Sequence, residues 1–315
     1  MMQLRLVLAP ALLSLGSALR MDAGQAPGPM KKITGPEHRR CNIVEKRSRN
    51  HEGVIGGTVV DDPSEFPFLA WLGDNDGTRM GQFCGGSLIS DRIVLTAGHC
   101  LYRDDGRNAK LWVRLKLANF ADMPGVARSV VNWKRHPDYS VVTLHNDLTL
   151  LLLNESVPAD LVQPLKISDG SKEFEHSGDK MVVGWGSTDE QCATYDTLLR
   201  KAPVPMGTDG SECSTKGSRI LSKSNDYDVN SQCCAGDYDG FMRYPGCGDS
   251  GGPLLAKDQD SWYQVGMVSW SYGIPYPDVF TRVSYFKSWI EQTSSDLLSA
   301  GSHPASNALS PEQRR

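Results

Sequence analysis

Gly248-Asp249-Ser250-Gly251-Gly252-Pro253 decides how this chain is read. It sets one serine hydroxyl in a glycine-rich turn, where the backbone can bend sharply and a substrate can come close. A serine alcohol is a poor nucleophile at neutral pH and needs a base within hydrogen-bond reach. Thr96-Ala97-Gly98-His99-Cys100, far upstream, offers a histidine for that purpose. Only a fold can bring two such distant segments together. Asn146-Asp147 then heads the apolar run from Leu148 to Leu153. An acid there is held beside the core, where it can fix one imidazole tautomer and stabilise the imidazolium.

The chain order is His99, Asp147, Ser250; subtilisins and α/β-hydrolases carry the same residue types in other orders. On these three motifs the chain resembles the chymotrypsin/trypsin family of serine endopeptidases, from about Val54 to Gln292. The resemblance implies an all-β fold of two six-stranded antiparallel β-barrels with a C-terminal helix and the active site in the cleft between them. His99 and Asp147 are expected from the first barrel and Ser250 from the second. It also implies the roles. Ser250 attacks the scissile carbonyl, His99 is general base and then general acid, and Asp147 orients His99. The backbone amides of Gly248 and Ser250 form the oxyanion hole.

Asp249 resembles the aspartate that pairs with a new α-amino group after proteolytic activation. Val54-Ile55-Gly56-Gly57 resembles the mature start, so Val54 is the expected partner and the chain is expected to be a zymogen. The family commonly has Arg or Lys before that start; here it is Gly53. Cleavage at the nearest basic site, Arg49, leaves Asn50-His51-Glu52-Gly53 attached. Two routes stay open: cleavage at Arg49 followed by loss of two dipeptides, or direct cleavage after Gly53.

Specificity departs further from the pattern. Tryptic members place an Asp at the pocket base, six residues before the nucleophile. That position is Tyr244 without gaps and Pro245 with one, and neither is acidic. Tyr276-Pro277-Asp278-Val279 resembles the family's Pro-Gly-Val segment, with Asp278 in place of a glycine that lines the same pocket base. A carboxylate there can pair with an Arg or Lys of the substrate. The other alternative is that the short loop from Ser271 to Tyr276 turns Asp278 out to solvent. Ser269-Trp270-Ser271 is expected as the pocket wall, its backbone pairing with the substrate strand, and Tyr244 fills part of the pocket if the ungapped reading holds.

Composition fits such a protein. The net charge of −4 leaves no nucleic-acid footprint, and 31 Gly with 18 Pro in 315 residues suit a turn-rich β protein. Leu4 to Leu15 is a short apolar run with Arg5 near its start and Gly16-Ser17-Ala18 after it, which reads as a secretory signal over residues 1–18. It is too short to span a bilayer, and no internal run approaches that length. Residues 19–53 read as a propeptide, 54–292 as the protease domain and 293–315 as a disordered tail. Expected partners are protein or peptide substrates and an activating protease, with no nucleic acid, membrane, metal or cofactor; a secreted, extracellular monomer is expected. Asn154-Glu155-Ser156 fits an N-glycosylation acceptor. His136, His145 and His176 lack a catalytic context and read as surface or loop residues.

Strands are legible at Ser87–Ser90, Arg92–Thr96, Trp112–Leu117, Lys180–Gly186 and Gln264–Trp270, and Val283–Ile290 is spaced helically. By resemblance, Cys84 pairs with Cys100 and pins the histidine loop, and Cys213 pairs with Cys234, with Cys233 competing as partner. Lys180 and Ala256 stand where another family bridge would be, and the loop after Trp270 lacks the usual partner of Cys247. The pairing of Cys41, Cys192, Cys233 and Cys247 stays open. The alternative to an enzyme is a catalytically silent homologue that acts as a binding or adaptor protein. Its usual marker, a lost triad residue, is missing here.

Overall fold

The computed structural model describes residues 54–73, 82–101, 111–173, 176, 178–195, 197–206, 227–236, 243–271 and 277–301. Within them, six antiparallel strands close a first barrel: β2 (Leu69–Gly73), β3 (Gln82–Leu88), β4 (Ile93–Thr96), β5 (Trp112–Leu115), β6 (Val126–Arg135) and β7 (Thr149–Leu153), after the short β1 (Thr58–Val59). The pairing order is β2-β3-β4-β7-β6-β5. Strand β5 shows the alternation expected of a half-buried strand, with Val113 and Leu115 inward. Strand β7 does not alternate, because both of its faces are covered. Leu151 and Leu153 fill the barrel, while Leu150 and Leu152 pack outward under the C-terminal helix.

The second sheet runs β1-β10-β9-β12-β13-β14-β11, using β9 (Asp179–Gly184), β10 (Arg200–Pro205), β11 (Gln232–Ala235), β12 (Pro253–Asp258), β13 (Ser261–Trp270) and β14 (Asp278–Arg282). The two-residue β8 (Lys166–Ile167) adds to β13 in parallel. An antiparallel bridge between Met206 and Ala235 joins the end of β10 to β11, so strands β9 to β14 form the second six-stranded barrel. Its core holds Val182, Ala202, Val204, Leu254, Val265 and Phe280. Ala256 belongs to this core, and Lys180 is buried beside it at 2% exposure.

Buried polar bonds tie the barrels together. The Ser87 hydroxyl donates to Gln264 Oε1 at 2.5 Å, and the Gly85 amide donates to the Ser250 carbonyl at 2.8 Å. Both run from β3 to the second barrel, next to the segments that carry the predicted site.

The C-terminal segment opens as a 3-10 turn, Val283–Phe286, and continues as helix α1, Lys287–Gly301. The helix therefore runs past Gln292, and residues 293–301 are not the disordered tail expected from their Ser and Ala content. Leu297 lies seven residues after Ile290 on the same face, and both are 1% exposed against Ile93, Leu150 and Leu152. Among the described residues no helix is long and apolar enough to cross a membrane.

Candidate active site

His99 sits in a 3-10 turn, Gly98–Leu101, that leaves the end of β4. The Cys84–Cys100 disulfide anchors that turn to β3, with a Cα–Cα distance of 6.2 Å. Asp147 lies just before β7, which is paired to β4 with Thr96 opposite Thr149. That register brings the carboxylate under the turn. Asp147 is 1% exposed. Its Oδ1 accepts the His99 backbone amide at 2.8 Å, its Oδ2 lies 2.8 Å from His99 Nδ1, and Oδ2 also accepts the Ser269 hydroxyl at 2.6 Å. The Thr281 hydroxyl donates to the Asp147 carbonyl at 3.1 Å.

An ionised carboxylate only accepts hydrogen bonds, so the proton shared with His99 belongs to Nδ1 and the lone pair to Nε2. The arrangement fixes the ring in the tautomer that a general base requires. The His99 side chain is 13% exposed.

Ser250 is half-buried in the turn before β12. That turn is clamped from both barrels: the Ser250 carbonyl accepts from Gly85, and the Gly251 amide donates to the Val268 carbonyl at 2.9 Å. Gly251 holds φ of +78°, and a Cβ there would lie 2.3 Å from the Thr96 hydroxyl oxygen. The close approach of the turn to the strand that leads into His99 therefore requires glycine. Gly248 holds φ of +98°, in the region that side chains avoid.

The match to known proteins agrees with this geometry. The trypsin family model fits residues 54–290. The chain belongs to the trypsin family. Tryptase of Mus musculus is 31% identical over 249 residues, covering 76% of this chain and 88% of that protein. Trypsin-1 of Astacus astacus is 33% identical, covering 76% and 98%. Trypsin 5G1 of Aedes aegypti is 34% identical, covering 78% and 86%. The protein is a serine-type endopeptidase with the two-barrel trypsin fold.

Other predicted residues of this trypsin-family chain fall as follows. Val54 is fully buried in the second barrel's core, and Ile55 bridges Tyr244, whose amide donates to the Ile55 carbonyl at 3.2 Å. Asp249 is 3% exposed. Its two carboxylate oxygens accept the Gly186 amide at 2.7 Å and the Gly246 amide at 2.8 Å. Burial pushes its carboxyl up to about 7, against the pull of those amides.

Asp278 opens β14 and is 3% exposed, so it does not face solvent. Its neighbour Val279 pairs with Trp270. Trp270 is buried and Ser271 half-buried at the end of β13. Ser269, expected in the pocket wall through its backbone, also donates its hydroxyl to Asp147. That role was missed because only the neighbouring strand shows which side of β13 Asp147 occupies.

The cysteines correct the sequence picture in part. Cys192 pairs with Cys247, a bridge with no assigned partner in the sequence. Among the described residues Cys233 is a free, buried thiol, and Cys234 is disulfide-bonded. Cys213, the expected partner of Cys234, lies outside the described residues, as do Cys41 and the predicted signal and propeptide. One group of metal-ligating atoms occurs among the described residues: Cys84, His99 and Cys100, within 4.8 Å of one another. Its two sulfurs are bonded to each other, so it offers no thiolate.

His136 is half-buried in the loop that follows β6. It packs between Phe286 and Trp289, with ring centroids 5.4 and 4.9 Å away. His176 is exposed, its Nε2 lying 2.7 Å from the Gly170 carbonyl oxygen. Asn154 is exposed, and its side-chain oxygen accepts the Ser129 amide at 3.0 Å.

Proposed function

We propose that this endopeptidase works through Ser250, His99 and Asp147 by an acyl-enzyme route and is made as a secreted zymogen that cleaves after Arg or Lys. The observation that carries the catalytic assignment is the buried Asp147 carboxylate, held at once by the His99 amide, His99 Nδ1 and the Ser269 hydroxyl. With Nδ1 protonated, His99 Nε2 takes the Ser250 proton as the hydroxyl attacks the carbonyl, and Asp147 stabilises the imidazolium. The amides of Gly248 and Ser250 receive the oxyanion. His99 then protonates the leaving amine, and water repeats the sequence on the acyl-enzyme.

Activation follows from the second barrel. Val54 holds φ of +36°, which a β-branched residue avoids, and cleavage before it abolishes that torsion. The new amine meets the buried Asp249 carboxylate and supplies the cation that burial demands. Residues 1–18 act as the secretory signal and 19–53 as the propeptide. The mature chain acts as an extracellular monomer glycosylated at Asn154. Asp278 provides the tryptic preference: its burial at the head of β14, beside the partner of Trp270, supports a place at the pocket base.

The test is initial rates on peptide amides varied at the residue before the scissile bond, using protein that begins at Val54. Fast cleavage after Arg and Lys is expected, and Asp278→Gly should remove that preference. Unchanged Arg/Lys preference in the variant would discard Asp278. Activity only after other residues would discard the tryptic specificity. No cleavage by folded protein would favour the silent homologue.

A further inference from the structure

Cys247 immediately precedes Gly248, and the bridge from Cys192 reaches it from a segment 55 residues upstream. That segment touches the nucleophile turn repeatedly. The Gly186 amide binds Asp249, and the Ser187 amide donates to the Cys247 carbonyl at 2.7 Å. The Cys247 amide donates to the Ser187 hydroxyl at 3.0 Å, and that hydroxyl donates to the Asp189 carbonyl at 3.1 Å. A Cβ on Gly248 would lie 3.7 Å from the ring of Tyr195, which is 53% exposed.

The same segment is braced from within. The Asp189 carboxylate accepts the amides of Gln191 at 2.8 Å, Ala193 at 3.1 Å and Thr194. The Thr188 amide and hydroxyl both donate to the Thr194 carbonyl, at 2.8 and 3.2 Å. The loop from Ser187 to Tyr195 is thus a closed unit with its own hydrogen bonds. The disulfide fastens it beside the residue whose amide must meet the oxyanion.

We infer that the Cys192–Cys247 bridge is a positioning strap: it holds the 187–195 loop against the nucleophile turn and so keeps the Gly248 amide directed into the oxyanion hole. The inference rests on the proposed role of Gly248. The physical reason for a strap is that a donor helps only when it is already aimed at the developing charge, and a small misplacement loses much of its effect. Gly248 lacks a side chain to hold it and sits at a backbone angle that many turns can relax from. A covalent tie one residue away limits that relaxation. Cys192 and Cys247 act through Gly248 and do not touch the reacting atoms.

The test compares the active enzyme with its Cys192→Ser/Cys247→Ser form, using two inhibitors of one well-cleaved sequence. A peptide aldehyde forms a hemiacetal whose oxygen occupies the oxyanion hole, while the matching peptide alcohol does not. The double variant should lose aldehyde affinity by about 10-fold or more and keep alcohol affinity within about twofold, with kcat falling more than KM. Equal weakening of both inhibitors, or no change in either, overturns the strap. If the double variant does not fold, Cys192→Ala/Cys247→Ala decides, because it removes the bridge without leaving two hydroxyls in its place. It should show the same aldehyde-selective loss, and a loss shared by both inhibitors, or none, overturns the strap. A wild-type protein that ignores the aldehyde and leaves an organophosphate unreacted removes the catalytic reading itself, and the strap with it.

Discussion

At Asp147 one carboxylate, taken out of water, is satisfied by three donors from two segments. A buried charge left short of partners is costly, so each donor matters beyond its own bond. Ser269→Ala removes the donor contributed by the second barrel. We expect it to destabilise the fold by about 1–3 kcal/mol and to lower kcat more than it raises KM, because the ring of His99 is less firmly held. Urea midpoints and steady-state kinetics on the variant check both. Cys233 presents the opposite case, a reactive group kept inert. Burial pushes its thiol up to about 11, so the thiolate is scarce at neutral pH. A maleimide or iodoacetamide should label it only after unfolding; fast labelling of native protein would contradict that. The three catalytic candidates were legible because the chemistry demands a few residue types in short signatures. Ser269 was not, because a serine in a strand reveals its partner only when the facing strand is known.

Strand β7 and helix α1 form one structural unit at the scale of elements. Leu148, Leu150 and Leu152 meet Val283, Phe286, Ile290 and Leu297 in a core outside the first barrel. Asp147 is attached to the start of that strand, so the helix helps hold the acid in place. His136 is wedged into the same packing, and burial holds its ring below the ordinary histidine value of 6.5, against the opposing pull of Asp138. A depressed histidine must be charged at a cost in the folded state. Stability is therefore fully present above about 6.5 and is lost as pH falls from there through the lowered folded value. His136→Phe should flatten this slope, as read by melting temperature against pH. An unchanged slope would place the titrating group elsewhere. The Cys84–Cys100 bridge spans 16 residues, and its loss should cost about 3 kcal/mol by loop-closure entropy. The helix start was legible from apolar spacing. Its end was not, because Ser and Ala outnumber the single turn signal, and Leu297 declares itself only when the strand beneath it is seen.

The whole molecule works through the seam between its barrels. Gly85 to Ser250, Ser87 to Gln264, Ser269 to Asp147 and Thr281 to Asp147 all cross it. The two-barrel architecture came from family resemblance; the strand alternation alone would have supported only an all-β protein. The Cys192–Cys247 bridge was unreadable because Cys192 lies in a loop without a motif and several pairings were open. Asp249 links this scale to activation. In the uncleaved chain its carboxyl is raised from 3.8 to about 7, so it binds a proton on folding in that window. Stability is present below about 4 and is lost as pH rises through about 7. Asp249→Asn in the uncleaved chain should remove that loss, and cleavage before Val54 should reverse it by adding a cation. Urea midpoints of both forms from pH 4 to pH 8, about four steps, would show it. The central claim is that Ser250 is the nucleophile and His99 its base. Its most direct test is mass mapping after treating the Val54-start protein with an organophosphate. One adduct on Ser250, lost in His99→Ala without loss of fold, is the predicted result. No adduct, or an adduct on another serine, would contradict the account.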